Sequence, residues 1–317
     1  MKIKYKDFAF RKETFALIEK CVEVLERYDD AGYDMTLRQL YYQLVAADEI
    51  PNTQHSYDRV GSIVNDARLA GLIDWQHLVD RTRSLKSIAH WNDPPEIIEA
   101  VAKQYRIDKW QSQPYRPEVW IEKEALAGVF ERVCNSLDVP FFSCRGYTSQ
   151  SEMWAAGQRL RKYQLGTRKP FKKQIPIIFH FGDHDPSGMD MTRDVADRLS
   201  LFIGKSIEIQ RLALNMNQIE EFQPPPNPAK ITDSRATAYI AEYGGESWEL
   251  DALEPDVLAS LVRNSILNII DKTKWEKAEQ REREQRAALQ AISNNYQTIE
   301  ERLRAGGQIS DALDGSE

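Results

Sequence analysis

The stretch IIFHFGDHDPSG, residues 177–188, decides the reading of this chain. An apolar and aromatic run suited to a buried strand ends in two aspartates, Asp183 and Asp185, with only His184 between them. In an open α/β sheet, ligands gather at the carboxyl ends of the strands, which is where these acids fall. Side chains two apart on extended backbone point to the same side, and two carboxylates held together repel unless a cation or proton intervenes. Oxygen-only ligands suit Mg²⁺, which takes few protein carboxylates and keeps several waters. Pro186 fixes the turn, and Gly188 permits close approach as the next helix starts. The competing reading is an acidic turn that only caps that helix. His184 should point away from the aspartates and reads as structural.

Working outward, strands at 119–122, 139–144, 175–181 and 206–214 alternate with helices at 124–136, 150–163 and 188–200. That alternation predicts an α/β domain with a mainly parallel sheet. Glu122 ends the first of these strands, in VWIEKEA (119–125), and supplies a third acid. Upstream, Phe15, Ile18, Val22 and Leu25 recur at helical spacing over 13–29. Thr36 reads as an N-cap with Gln39 as its capping-box partner, and a further helix covers 56–70 and stops at Gly71. Residues 72–83 read as a short strand pair, so three helices and a small β element predict a winged-helix unit. The expected organisation is a winged-helix domain at 1–90, a linker with a connecting helix at 91–117 and the α/β domain at 118–254. A helical region at 255–304, with a charged segment projecting, and a flexible tail at 305–317 complete it.

The chain has 317 residues and a net charge of −7, which argues against holding a polyanion by bulk charge alone. The charge is unevenly spread. Residues 159–173 hold seven Lys and Arg and no acid, whereas 239–258 hold six acids and no base. Segregation of this kind allows a local nucleic-acid surface on an acidic protein. No apolar run is long enough to span a membrane. The N-terminus has no long apolar segment, so a secretory signal is not expected. Cys21, Cys134 and Cys144 read as reduced thiols inside a cell.

WIEKEA (120–125) and GDHDPSG (182–188) together resemble the Toprim domain of the A subunit of type IIB DNA topoisomerases (topoisomerase VI) and of the related meiotic break-forming proteins. The resemblance implies that Glu122, Asp183 and Asp185 bind Mg²⁺. The same family attacks DNA with a tyrosine in a motif of the form R-x-x-(Y/F)-Y, and Arg38-Gln39-Leu40-Tyr41-Tyr42 matches it. Tyr42 is thereby the candidate nucleophile and Arg38 its catalytic partner. Helical geometry gives independent support. Leu37, Leu40, Tyr41, Leu44 and Val45 share one face, and Tyr42 lies roughly 120° from its centre. Tyr42 is expected to be an available phenol beside Arg38, whose guanidinium favours the phenolate and can hold a phosphate oxygen.

The family forms a 5′-phosphotyrosyl link, with the tyrosine of one subunit serving the metal site of the other. The resemblance therefore implies a homodimer that cuts both strands of double-stranded DNA. It covers 36–45 and 118–200, and the compact chain is most similar to stand-alone Mini-A-type proteins. It implies a cytoplasmic setting in a prokaryote, nucleoid-associated or encoded on a mobile element. No P-loop is present, so ATP-driven strand passage would need a separate ATPase subunit. Arg59 and Arg68 are candidate phosphate contacts on the 56–70 helix, with Arg81 and Arg83 flanking the groove and Arg145 following the second strand. Glu124 reads as favouring a helix N-terminus, and Glu249 and Asp251 are given no role. Two other readings stay open: a Toprim nuclease that uses water as attacker, and a DNA-binding regulator with an inert acidic site.

Overall fold

The computed structural model describes residues 2–33, 35–79, 88–166 and 173–307; the expected groove residues Arg81 and Arg83 and the tail from 308 lie outside them. The elements in chain order are α1 (Lys12–Asp30), α2 (Leu37–Ala46), α3 (Gln54–Leu69), α4 (Pro94–Gln104), β1 (Tyr115–Ile121), α5 (Ala127–Ser136), β2 (Phe141–Ser143), α6 (Gln150–Leu165) and β3 (Ile175–Phe181). There follow α7 (Pro186–Ile203), β4 (Glu208–Ala213), α8 (Met216–Phe222), β5 (Asn227–Pro228), α9 (Ala236–Tyr243), β6 (Glu246–Ser247), α10 (Pro255–Asn268), α11 (Lys272–Asn294) and α12 (Tyr296–Ala305). The fold is mixed α/β. The chain divides into two compact units, residues 1–84 with 114–269, and residues 85–113 with 270–317.

In the first unit a four-stranded sheet runs in the order β2-β1-β3-β4, and every pairing is parallel. Parallel sheets are buried on both faces, and β3 is buried from Pro176 to Phe181. Trp120 and Ile178 pack with Met153 and Leu160 of α6 and Val195 and Leu199 of α7. On the other face the rings of Phe181 and Phe130 of α5 meet at 4.7 Å. Burying each such side chain stabilises the fold by about 1.5–3 kcal/mol.

Helices α1 to α3 share a separate core in the same unit, with Ile18, Leu25, Leu40, Leu44 and Val60 at its centre. The Thr36 capping box is formed: its side chain accepts from the Gln39 N–H, while Gln39 Oε1 accepts from the Thr36 N–H at 2.9 Å. The strand pair expected over 72–83 does not form in its described part, 72–79. There the chain is turns and bends, with a single parallel bridge between Met35 and Leu78. The physical reason is Arg68, which donates to the Trp75 carbonyl at 2.5 Å and stacks on the Trp75 ring, holding the segment in a loop.

In the second unit α4 packs on α11. The residues read as a linker thus supply a structural partner for the charged helix read as projecting. Buried Glu282 is their hub: it accepts from the Ile107 N–H at 3.0 Å and from Arg286 at 2.8 Å. Ser293 donates to the Pro95 carbonyl at 3.0 Å. Helix α10, grouped by sequence with the C-terminal helices, belongs instead to the first unit, where it packs on α5. Loss of the α2 cap should be felt locally. Thr36→Ala is expected to lower unfolding free energy by about 1 kcal/mol, measured by urea denaturation; an unchanged midpoint would show that the capping box contributes nothing.

Candidate active site

The register of β1 and β3 builds the acidic turn. Ile121 lies opposite Phe181, which brings Glu122 against Gly182 at the carboxyl ends of two adjacent strands. The Glu122 N–H donates to the Phe181 carbonyl and the Asp183 N–H donates to Glu122 Oε2, both at 2.9 Å. A Cβ on Gly188 would sit 2.3 Å from the Asp183 carbonyl oxygen, so only glycine fits there. Arg211 of β4, half-buried at the turn, donates to the carbonyls of Gly182, Asp183 and Gly188 at 3.0, 2.6 and 3.0 Å. His184 packs on Tyr239, Tyr243 and Trp248, with Nδ1 2.8 Å from the Tyr239 hydroxyl. Burial lowers its pKa to about 4, so it is neutral and structural.

Asp185 caps α7: its Oδ1 accepts from the Gly188 N–H at 2.6 Å and from Ser187 Oγ at 2.9 Å. The capping role weighed against metal ligation is therefore present. Asp183 Oδ1 accepts from the Leu250 N–H at 2.8 Å and lies 3.0 Å from Lys123 Nζ. Burial pushes the Asp183 carboxyl up to about 8, with Lys123 opposing the shift and Glu122 and Asp251 reinforcing it. Burial also raises Glu122, with the Asp183 N–H and Lys123 opposing and Asp185 reinforcing.

Lys123, adjacent to Glu122, carries the site onward. Its Nζ lies 2.5 Å from Glu249 Oε2 and 2.9 Å from Asp251 Oδ1. Arg38 of α2 pairs with the same two acids, at 3.0 Å to Glu249 and 3.4 Å to Asp251. It also reaches the Tyr42 hydroxyl at 3.4 Å. Burial resists ionisation of Glu249, yet Lys123 and then Arg38 outweigh it and hold Glu249 at about 2. Tyr42 departs from the sequence reading: it is 5% exposed rather than available. Its pKa is raised, first by burial, then by Asp251 and Glu249, against which Arg38 and Lys123 act. The apolar-face argument overlooked the Leu250–Ala252 turn, which packs on α2.

Glu249, Asp251 and Arg211 were missed as site residues. The two acids of WELD (248–251), Glu249 and Asp251, gave a charge signal, but nothing tied them to Lys123. Two clefts border the site. One, of about 350 Å³, is lined by Arg38, Tyr42, Lys230 and Glu249 together with Asp185. The other, of about 500 Å³, is lined by Arg38, Gly61, Asn65 and Arg68. Arg59 is exposed on α3. Arg68 is spent on the 75–78 carbonyls, and Arg145 pairs with Glu124 at 3.3 Å.

Among the described residues no group of three acids, histidines or cysteines stands close enough to hold a metal as placed. The donor chemistry nevertheless suits Mg²⁺. One oxygen each of Glu122, Asp183 and Asp185 is fixed by protein donors, and a buried carboxyl that resists ionisation is one that a divalent cation would ionise. Ligation by all three requires the side chains to draw together. No protein-family model matches the chain, and no curated protein is similar to it.

A carboxyl raised on folding contributes stability that is fully present below about pH 4, its unfolded value, and lost as pH rises toward about 8. Asp183→Asn keeps the acceptor for the Leu250 N–H and removes the titration. In metal-free buffer its stability relative to wild type should grow between pH 5 and pH 8, by up to about 1.4 kcal/mol per pH unit. A difference independent of pH, read from denaturant unfolding, would contradict the raised value.

Proposed function

We propose that this chain is a Mg²⁺-dependent DNA-cleaving enzyme of topoisomerase type, with a winged-helix-like helical part and a Toprim-type sheet, in which Tyr42 attacks the backbone. The observation that carries the reading is that Tyr42, Arg38 and Asp185 line one cleft of a single compact unit. In the reaction the Tyr42 phenol gives up its proton as its oxygen bonds to a backbone phosphorus, the bond to O3′ breaks, and the departing 3′ oxygen takes up one proton in return, so that no proton is gained or lost overall. Glu122, Asp183 and Asp185 would hold the ion, which supplies charge stabilisation at the phosphate and leaving oxygen. Arg38 binds a phosphate oxygen, and in doing so gives up part of its hold on Glu249 and Asp251. That exchange moves positive charge from the acids to the substrate and opens the Tyr42 flank. A homodimer on double-stranded DNA would cut both strands, each Tyr42 beside its own chain's Asp185 and not the partner's site that the resemblance implied, and strand passage would draw on a separate ATPase subunit.

Burial of Tyr42 and its raised pKa favour a second reading, in which the same carboxylates activate water and the chain is a nuclease. Supercoiled plasmid with Mg²⁺, denatured before electrophoresis, separates the two. The first reading expects DNA ends that enter the gel only after protease treatment. Tyr42→Phe should abolish them, and Arg38→Ala should reduce them about 10²–10³-fold, the usual cost of removing one transition-state donor. Ends that are free without protease and persist in Tyr42→Phe mark the nuclease. DNA retention with no ends marks an inert regulator and sinks both.

A further inference from the structure

We propose that this site takes a locally unpaired DNA strand and not intact duplex, laid along one groove that runs from Lys230 past Arg38 to Asn65. The inference deepens the proposed function and rests on it. Arg38 and Tyr57 line both clefts, so the two recesses meet at these residues. Their volumes, about 350 and about 500 Å³, are those of sites that enclose small ligands, the scale of nucleotides and not of a duplex. Tyr42 is buried against the smaller recess, so the phosphorus must come to the phenol. Asn52 Nδ2 donates to Asn227 Oδ1 at 2.5 Å, and both residues line that recess, so the α2–α3 loop is tied to β5 at its wall. Duplex DNA is stiff over lengths far greater than such a recess. Enzymes whose reacting groups lie in a pocket act on single strands or pull the nucleotide out of the stack.

The lining suits a single strand. Binding of that kind combines cations that follow the backbone with aromatic rings on which bases stack. Lys230 lines the smaller recess, is exposed and has no ion-pair partner among the described residues. Arg38, by contrast, is held by Glu249 and Asp251. Lys230 is therefore the cation free to meet a backbone phosphate first. Tyr57 stands where the recesses join, half-buried, its ring nearly perpendicular to that of Tyr41 and 5.3 Å from it. It offers a fixed platform for a base beside the phosphate on Arg38. Asn65, exposed on the wall of the larger recess, brings an amide donor and acceptor to the edge of an unpaired base.

The test uses the full chain and three labelled probes of one sequence: a single-stranded oligonucleotide, its duplex, and the duplex with a central unpaired bubble. Binding is read by fluorescence anisotropy over a series of salt concentrations. Wild type is expected to bind the single strand and the bubble at least about tenfold tighter than the duplex, because the cost of unpairing is already met. Lys230→Ala, a change at an exposed position, should lower the salt slope on the single strand by about 0.7, the loss of one phosphate contact. Tyr57→Ala should weaken single-strand binding by about tenfold, and Tyr57→Phe, which keeps the ring, should not. Duplex bound as tightly as the single strand overturns the inference and leaves the proposed function standing. A slope unmoved by Lys230→Ala also overturns it, whatever Tyr57→Ala does to folding. A wild type that binds none of the three probes removes the proposed function, and the inference with it.

Discussion

Everything at this site depends on the parallel register of β1 against β3. With Ile121 opposite Phe181, the first residue beyond each strand meets its neighbour, and Glu122 faces the Gly182-Asp183 peptide. The Asp183 N–H then closes onto Glu122 Oε2. A shift by one residue would turn Glu122 to the other face of the sheet and drive Trp120 out of the apolar layer it shares with α6 and α7. Core packing and the meeting of the acids are therefore one constraint. Arg211 completes it from β4, fixing the carbonyls of the turn so that the acidic side chains project from a rigid backbone.

From that turn a line of charge leads to the helical part of the same unit. Asp183 contacts Lys123, Lys123 contacts Glu249 and Asp251, and those two contact Arg38, which reaches Tyr42. Acids and bases alternate along the path, so each buried charge has a partner of opposite sign. The arrangement stabilises the docked helix while holding the Tyr42 phenol in its protonated form. On the proposed function, a phosphodiester entering the cleft would compete with Glu249 and Asp251 for Arg38.

Much of the sheet was legible because parallel strands must be continuously apolar, and β3 occupies the span that the sequence indicates. The Thr36–Gln39 capping box was legible for the same local reason. What escaped was tertiary. Arg68 reads as a surface cation until Trp75 stacks against it and claims its donors. Tyr42 falls on the polar side of α2 by helical periodicity, yet it is buried with the core of α1 to α3, its ring against Tyr41, and the Leu250–Ala252 turn, more than two hundred residues on, packs on the same helix. Glu282 sits in a helix that reads as charged all round, yet it is buried where the segment following α4 supplies the Ile107 N–H and brings Lys109 to 3.9 Å. Local pattern fixes elements and caps, while long-range pairing decides which polar residues are sequestered.

The central claim is that Glu122, Asp183 and Asp185 gather one divalent ion at the ends of β1 and β3. Anomalous diffraction from crystals grown in Mn²⁺ tests it most directly. The account expects a single strong peak within ligand distance, about 2.0–2.4 Å, of oxygens from Glu122 and Asp185, with Asp183 completing the set. A peak elsewhere, or ordered carboxylates at this turn with none between them, would contradict it.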